Sequence, residues 1–460
     1  MSRRELPARP VDSAAAAPSP ILTAPILPTL MRLALPNMGA MLAGSAATIA
    51  ETAYVGLLGV GALAGMALVF PLIMLQGMFS AGAIGSGVSA AIAQALGAGE
   101  RARAEAIAAH AVWLALVAGG LTSLLMLLLA RPLLMLLGGR GVALDEAVAF
   151  AGVAFLGSAM VWMLNLLAAV LRGVGAMAAP SAVLLLAAVL QVLVGGGLGL
   201  GLGPLPRLGM AGVAAGQVVA STAGALLLLG VLRRGRTGLR LDLFGTPLSR
   251  ARFADILRVG GPALISPLQT ILTVLILTRL VASFGPDALA GYGIGTRLEF
   301  LMVPIAFAVG VASVPMVGGA IGAGDVARAR LVAWTAGGIS AAMLGAVGLV
   351  LAIVPDAWTL MFSDAPAVRA AASGYFRGAG PGYAFYGAGL ALYFSSLAAG
   401  RVKGVVLAGT VRLLVVGLGA ALILRSGMGL SAVFALVGLG MLAYGAATAH
   451  AVRIADWRRR

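Results

Sequence analysis

Cysteine is absent from this chain of 460 residues, histidine occurs twice, and only 10% of residues are charged. Without cysteine there are no disulfides, no thiol nucleophile and no thiolate-bound metal. His110 and His450 are far apart and lack an HExxH-like spacing, so each reads as a helix-end or packing histidine. An integral-membrane enzyme would need a clustered acid–base or nucleophile pair, and neither histidine has such company. Glycines 82, 85 and 87 are not followed by Gly-Lys-Ser/Thr. A phosphate-binding loop is therefore missing, and with it direct drive by ATP. So little charge beside 61% hydrophobic residues also excludes a water-soluble fold.

What the chain does have is apolar runs of about 20 residues or more, each long enough to cross a hydrocarbon core of about 30 Å. They do not alternate as the strands of a membrane barrel would. Breaks at Gly, Pro and charged loops predict twelve helices, six at 30–57, 62–95, 105–130, 146–172, 178–202 and 209–232. The other six fall at 253–283, 287–319, 326–354, 366–398, 402–424 and 428–452. The expected class is an all-α polytopic membrane protein. Residues 1–28 form a disordered tail, 29–232 and 253–453 two six-helix lobes, 233–252 a basic linker and 454–460 a basic C-terminus.

The net charge of +16 does not describe a nucleic-acid protein, because the arginines are spread over short loops. Arg101, Arg103, Arg172, the run from Arg233 to Arg252, Arg328, Arg330, Arg401 and Lys403 fall in alternate connections. That pattern places those loops and both termini in the cytoplasm of a bacterial cell, with the helices in its inner membrane.

The two halves resemble each other. Pro36 is matched by Pro262, and Gly59 with Ala62-Leu63-Ala64-Gly65 by Gly285 with Ala288-Leu289-Ala290-Gly291. Gly97-Ala98-Gly99-Glu100 then corresponds to Gly322-Ala323-Gly324-Asp325. Repeats of six spans share one orientation and relate by a pseudo-two-fold axis along the membrane normal, a transporter architecture.

Within the first span stands Glu51, in Ala50-Glu51-Thr52-Ala53-Tyr54-Val55-Gly56. A carboxyl inside the membrane costs roughly 2.5–3.5 kcal/mol on insertion scales, which makes it a functional hypothesis by default. Such a group can take up and release a proton. The alternative is a structural acid near the outer interface, hydrogen-bonded to Thr52 or Tyr54. Asn37, next to Pro36, is expected to satisfy backbone groups that the proline frees.

Ala34-Leu35-Pro36, the Glu51–Gly56 run with Leu58-Gly59, and Gln94-Ala95-Leu96-Gly97-Ala98-Gly99 together resemble the multidrug and toxic compound extrusion (MATE) family. Leu171-Arg172-Gly173-Val174-Gly175, Arg297-Leu298-Glu299 and Gly322-Ala323-Gly324 extend the likeness over nearly the whole chain. The resemblance implies a secondary antiporter that exports small organic, cationic or amphipathic compounds by alternating access, with no cofactor beyond the coupling ion, H+ or Na+. It also implies that Glu51 holds the family's ion-coupling position in the first span, with Glu in place of Asp.

Other positions depart from the family pattern. Gln191 and Gly195 stand where the fifth span often carries Asn and Asp, and the sixth span reads Gly216-Gln217. Span seven has Gln269 and Thr270 in place of a glutamate. These changes point to a DinF-like arrangement centred on Glu51, with Gln191 and Gln217 as its partners, and favour protons over Na+. Met66, Phe70, Met74, Tyr292, Arg297, Phe300, Tyr383 and Tyr386 are the expected walls of the substrate cavity, although Arg297 and Glu299 also suit structural pairing within the second lobe. A lipid-linked precursor flippase of the same superfold would carry more intramembrane cations. The protein is expected to act as a monomer in the bilayer.

Overall fold

The computed structural model describes residues 20–458, apart from 236, 237 and 244. The predicted disorder of residues 1–28 lies outside the described residues up to 19. From there on it is corrected: α1 (Pro20–Thr23) is followed by α2 (Ile26–Gly56), which begins before residue 28. No residue between them carries a charge that would keep the chain in water.

The rest is helical. α3 (Val60–Gly77) runs through a π-helical turn (Met78–Ile84) into α4 (Gly85–Gly97), and α5 (Arg101–Leu136) follows. α6 (Gly141–Leu156) and α7 (Ser158–Val174) form one bent pair at 52°, followed by α8 (Ala178–Leu200) and α9 (Gly209–Arg233). The second half comprises α10 (Arg250–Ala263), α11 (Ile265–Ala282), α12 (Pro286–Gly322), α13 (Val326–Ile353) and α14 (Asp356–Thr359). It ends with α15 (Pro366–Ala379), α16 (Tyr383–Ala398), α17 (Val402–Ser426) and α18 (Leu430–Ile454).

Among the described residues, ten helices are long and apolar enough to cross a membrane, or eleven with the bent α6–α7 pair counted as one span. The remaining expected span, the tenth at 366–398, is divided: α15 and α16 have 14 and 16 residues and are separated by a 3₁₀ turn at Gly380–Gly382. Gly-Pro-Gly removes one backbone donor and two side chains there, so a continuous α-helix is not sustained.

The internal repeat is visible in the backbone. Left-handed glycines recur in pairs at a spacing of 225 or 226 residues: Gly59 and Gly285, Gly99 and Gly324, Gly175 and Gly400, Gly201 and Gly427. Each pair ends a helix or opens the next one at the same place in each half, a conformation that a Cβ would strain. α2 to α9 pack chiefly on one another, as do α11 to α18, giving two bundles.

The bundles meet along α4 and α12. The seam is reciprocal: a Cβ on Gly97 would collide with the carbonyl of Gly319, and one on Gly322 with the carbonyl of Gln94. Residues 319 and 322 are the repeat partners of 94 and 97, so the contact obeys the two-fold relation. Gln94 Nε2 also donates to the Ala398 carbonyl at 2.6 Å.

Charge clasps the same end of the molecule. Arg103 pairs with Asp255 of α10 at 2.9 Å, and Arg328 donates to the carbonyls of Ile21 and Ala24 beside α1. His110, fully buried, accepts from the Ser249 amide at the start of α10. This linker end is thus closed, and α2 also packs along α12 across the bundles. Asn37 does not serve the backbone around Pro36; its Nδ2 reaches the Ala308 carbonyl of the other bundle at 3.5 Å.

Gly97→Val is expected to lower stability in detergent by about 1–3 kcal/mol through overpacking of the seam. Gly39→Ala, where a Cβ meets nothing within 4 Å, is the control and should leave the melting temperature unchanged or slightly raised. Equal effects of the two substitutions would contradict a tight glycine seam.

Candidate ion-coupling and substrate site

α8 and α9 cross closely because Gly195, Gly199, Gly212 and Gly216 leave no side chains between them; a Cβ on Gly216 would strike Gly195. This approach brings Gln191 of α8 and Gln217 of α9 to one wall, beside α2. Glu51 lies five residues before the end of α2 and is 6% exposed. From Ile26 the helix rises roughly 37 Å to that point, so the carboxyl lies far from the linker end.

Gln191 Nε2 donates to Glu51 Oε2 at 2.9 Å, while Oε1 has no hydrogen-bond partner among the described residues. The expected alternative, a bond from Thr52 or Tyr54, is not formed: the Thr52 hydroxyl donates to the Thr48 carbonyl, and the Tyr54 hydroxyl is unpartnered. The carboxyl opens into a cavity of about 210 Å³. Thr48, Glu51, Thr52, Gln191 and Gln217 form its polar wall, and Met66, Phe70, Ile73 and Phe150 its apolar wall. Among the described residues, no cation lies on either wall. Such a cavity can hold an apolar body with a positive or hydrogen-bonding head.

Phe300 of the other bundle meets Phe70 edge-on, with ring centroids 6.2 Å apart, and is 47% exposed. The structure therefore brings Glu51, Gln191, Gln217, Met66 and Phe70 together, with Phe300 facing them. Met74, Tyr292, Arg297, Tyr383 and Tyr386 do not line this cavity. Tyr292 and Tyr383 are buried in the second bundle's core, the first edge-on to Tyr375. Arg297 lies over the Phe362 ring at 5.4 Å, and Arg412 lies over Tyr386 at 5.1 Å. Helix periodicity alone could not separate these residues from the cavity wall, because bundle core and cavity share one face of a span.

Glu299, read in the sequence as a structural acid, receives a hydrogen bond from the Tyr375 hydroxyl. The expected pairing is thus to a phenol of α15. Thr48, Ile73 and Phe150 were not legible as wall residues. Thr48 stands at i−3 from Glu51, a signal that the sequence did contain; Phe150 comes from α6, and only the tertiary fold brings it in.

Among the described residues no group of three His, Asp or Glu side chains could hold a metal ion. In the first bundle the π-helical turn places Ser80 to accept from Asn165 Nδ2 at 2.8 Å, satisfying a buried polar pair.

The MatE family profile matches residues 36–195 and 262–423, one stretch in each half. The probable multidrug resistance protein NorM of Deinococcus radiodurans is 33% identical over 71% of this chain and 71% of its own. A FAD transporter of Shewanella oneidensis is 26% identical over 67% of this chain and 68% of its own. Among solved structures, a MOP-superfamily transporter from Pyrococcus furiosus with a binding pocket of reverse polarity superposes with a TM-score of 0.87, at 21% identity, over 95% of this chain and 97% of that one. An outward-facing multidrug resistance MATE transporter gives 0.85 over the same shares at 21% identity. These structures share the two-lobed helical fold. With the family pattern present in both halves around a cavity between membrane helices, this chain belongs to the MATE family: it is a multi-pass membrane transporter, not an enzyme.

Proposed function

We propose that the protein is a proton-coupled antiporter of the DinF-like branch, exporting cationic or amphipathic organic compounds across the bacterial inner membrane with both termini in the cytoplasm. The observation that carries this reading is Glu51: a buried carboxyl with one amide partner, opening into a cavity without cations. A charged Glu51 attracts a positive head group while the apolar wall accepts the rest of the compound. Protonation removes that attraction, so one side chain serves the ion and the cargo in turn.

Two observations favour protons over Na+. A sodium ion needs several oxygen ligands to offset its charge, and among the described residues this cavity offers one carboxylate, Glu51, beside neutral hydroxyls and amides. The fifth-span position that would bring a second acid is Gly195. An anionic dinucleotide such as the cargo of the Shewanella relative has no cation to meet on these walls, and the same lack disfavours a lipid-linked precursor.

The clasped linker end lies on the basic, cytoplasmic side in this reading, so the conformation is outward-facing. Return to the inward-facing state requires α4 and α12 to part and the Arg103–Asp255 pair to break.

Glu51→Gln is expected to reduce efflux of a fluorescent cationic dye, driven by a pH gradient in proteoliposomes, to the protein-free background, with the melting temperature kept. Retained efflux would contradict the assignment. Because the chain has no cysteine, a single Ala320→Cys reports on the seam, where Ala320 is fully buried. Its reaction with a soluble thiol reagent should be slow and should rise several-fold on adding Arg103→Ala. Equal rates in both backgrounds would show that the clasp does not hold the linker end closed.

A further inference from the structure

Tyr54 follows Glu51 by three residues on α2, so the two side chains share a face on successive turns. Its ring is buried in the apolar cluster with Val55, Phe150 and Val213, at 9% exposure. The hydroxyl has no hydrogen-bond partner among the described residues, and Glu51 Oε1 has none either. Two buried oxygens left unpaired one helical turn apart are an unusual expense in a membrane interior.

The space for the hydroxyl is cut by α8. A Cβ on Gly195 would stand 2.8 Å from Tyr54 Oη, and a Cβ on Gly196 would stand 3.5 Å from Cδ1. Gly195 is one turn beyond Gln191, so Glu51 and Tyr54 meet successive turns of α8. The first offers an amide donor and the second a slot without side chains. A phenylalanine would fill the same apolar cluster, so packing alone does not call for the phenol.

The surrounding charges leave the pair to itself. α3 and α8 carry no charged residue, and α9 has only Arg233, at its linker end. On α6, Asp145 pairs with the exposed Arg131, and Glu146 stands against Gly65 of α3. α12 contributes Glu299, bound to Tyr375, together with Arg297 over Phe362 and Asp287 in its first turn. The arginines of α13 are engaged at the linker end, Arg328 on Ile21 and Ala24 and Arg330 on the Ala455 carbonyl.

We propose that Tyr54 is a positioning residue of the coupling site. Its hydroxyl donates to the free oxygen of Glu51 when that carboxyl is charged, and it withdraws into the Gly195–Gly196 slot when the carboxyl is protonated. The withdrawn position is the one in this structure. The phenol keeps its proton throughout; the hydrogen bond selects between two states of Glu51 and so sets the pH at which the exchange operates. This inference rests on Glu51 as the coupling carboxyl, and its test separates the two.

Dye efflux by wild type, Tyr54→Phe and Glu51→Gln is measured in proteoliposomes over a pH series. Tyr54→Phe should fold and transport, with its half-maximal pH moved upward by about one unit, the size of one lost hydrogen bond to a charged group. If Glu51→Gln abolishes efflux and the Tyr54→Phe profile overlays that of wild type, the role of Tyr54 is overturned and the coupling assignment stands. If Glu51→Gln retains efflux, both fall. Should Tyr54→Phe fail to fold, 3-fluorotyrosine at position 54 keeps the ring and strengthens the donor. The half-maximal pH should then move down, and an unmoved profile would overturn the proposal.

Discussion

A carboxyl in an apolar helix bundle has to be satisfied by the chain itself, and the hydrogen bond from Gln191 to Glu51 is how this protein meets that demand. The bond ties α2 to α8, and α8 reaches it only because four glycines let α8 and α9 cross closely. The cavity is the space left between that polar wall and the apolar side chains of α3 and α6. A single partner leaves the second carboxyl oxygen free, and the proposed coupling role depends on this freedom, since a fully bonded acid would be fixed in one state.

The same logic of close approach operates between the bundles. Gly97 and Gly322 bring α4 and α12 into backbone contact at the linker end, where Arg103, Asp255, Arg328 and His110 add polar ties. Glu51 lies toward the opposite end of α2. The cavity at Glu51 and the glycine seam therefore lie toward opposite ends of the molecule, an arrangement that suits the proposed alternating access, in which two repeats of one orientation rock against each other.

Much of this was legible in the sequence. Length and hydropathy give the helices, loop arginines the basic face, and the pairs Gly59/Gly285 and Gly99/Gly324 the repeat; the backbone adds Gly175/Gly400 and Gly201/Gly427. Glu51 stood out because an acid is expensive in such surroundings, and Gln191 and Gln217 because an amide needs a partner. The aromatic wall was less legible. Tyr292 and Tyr383 occupy the core of the second bundle, since an aromatic ring in a membrane helix serves packing and cavity equally well until the neighbouring helices are in place. The span at 366–398 read as continuous because hydropathy does not register the break that Gly-Pro-Gly imposes. Tyr54 was read only as a hydrogen-bond partner for a structural Glu51, because the slot that receives its hydroxyl depends on Gly195, 141 residues away in sequence.

The central claim is that one carboxyl couples transport to protons. It is tested most directly with the unmodified protein in proteoliposomes, by following a fluorescent cationic dye while a proton gradient and a sodium gradient are imposed separately. The account predicts dye movement against its gradient under the proton gradient, and none above the protein-free control under sodium alone. Uptake driven by sodium at constant pH would contradict it.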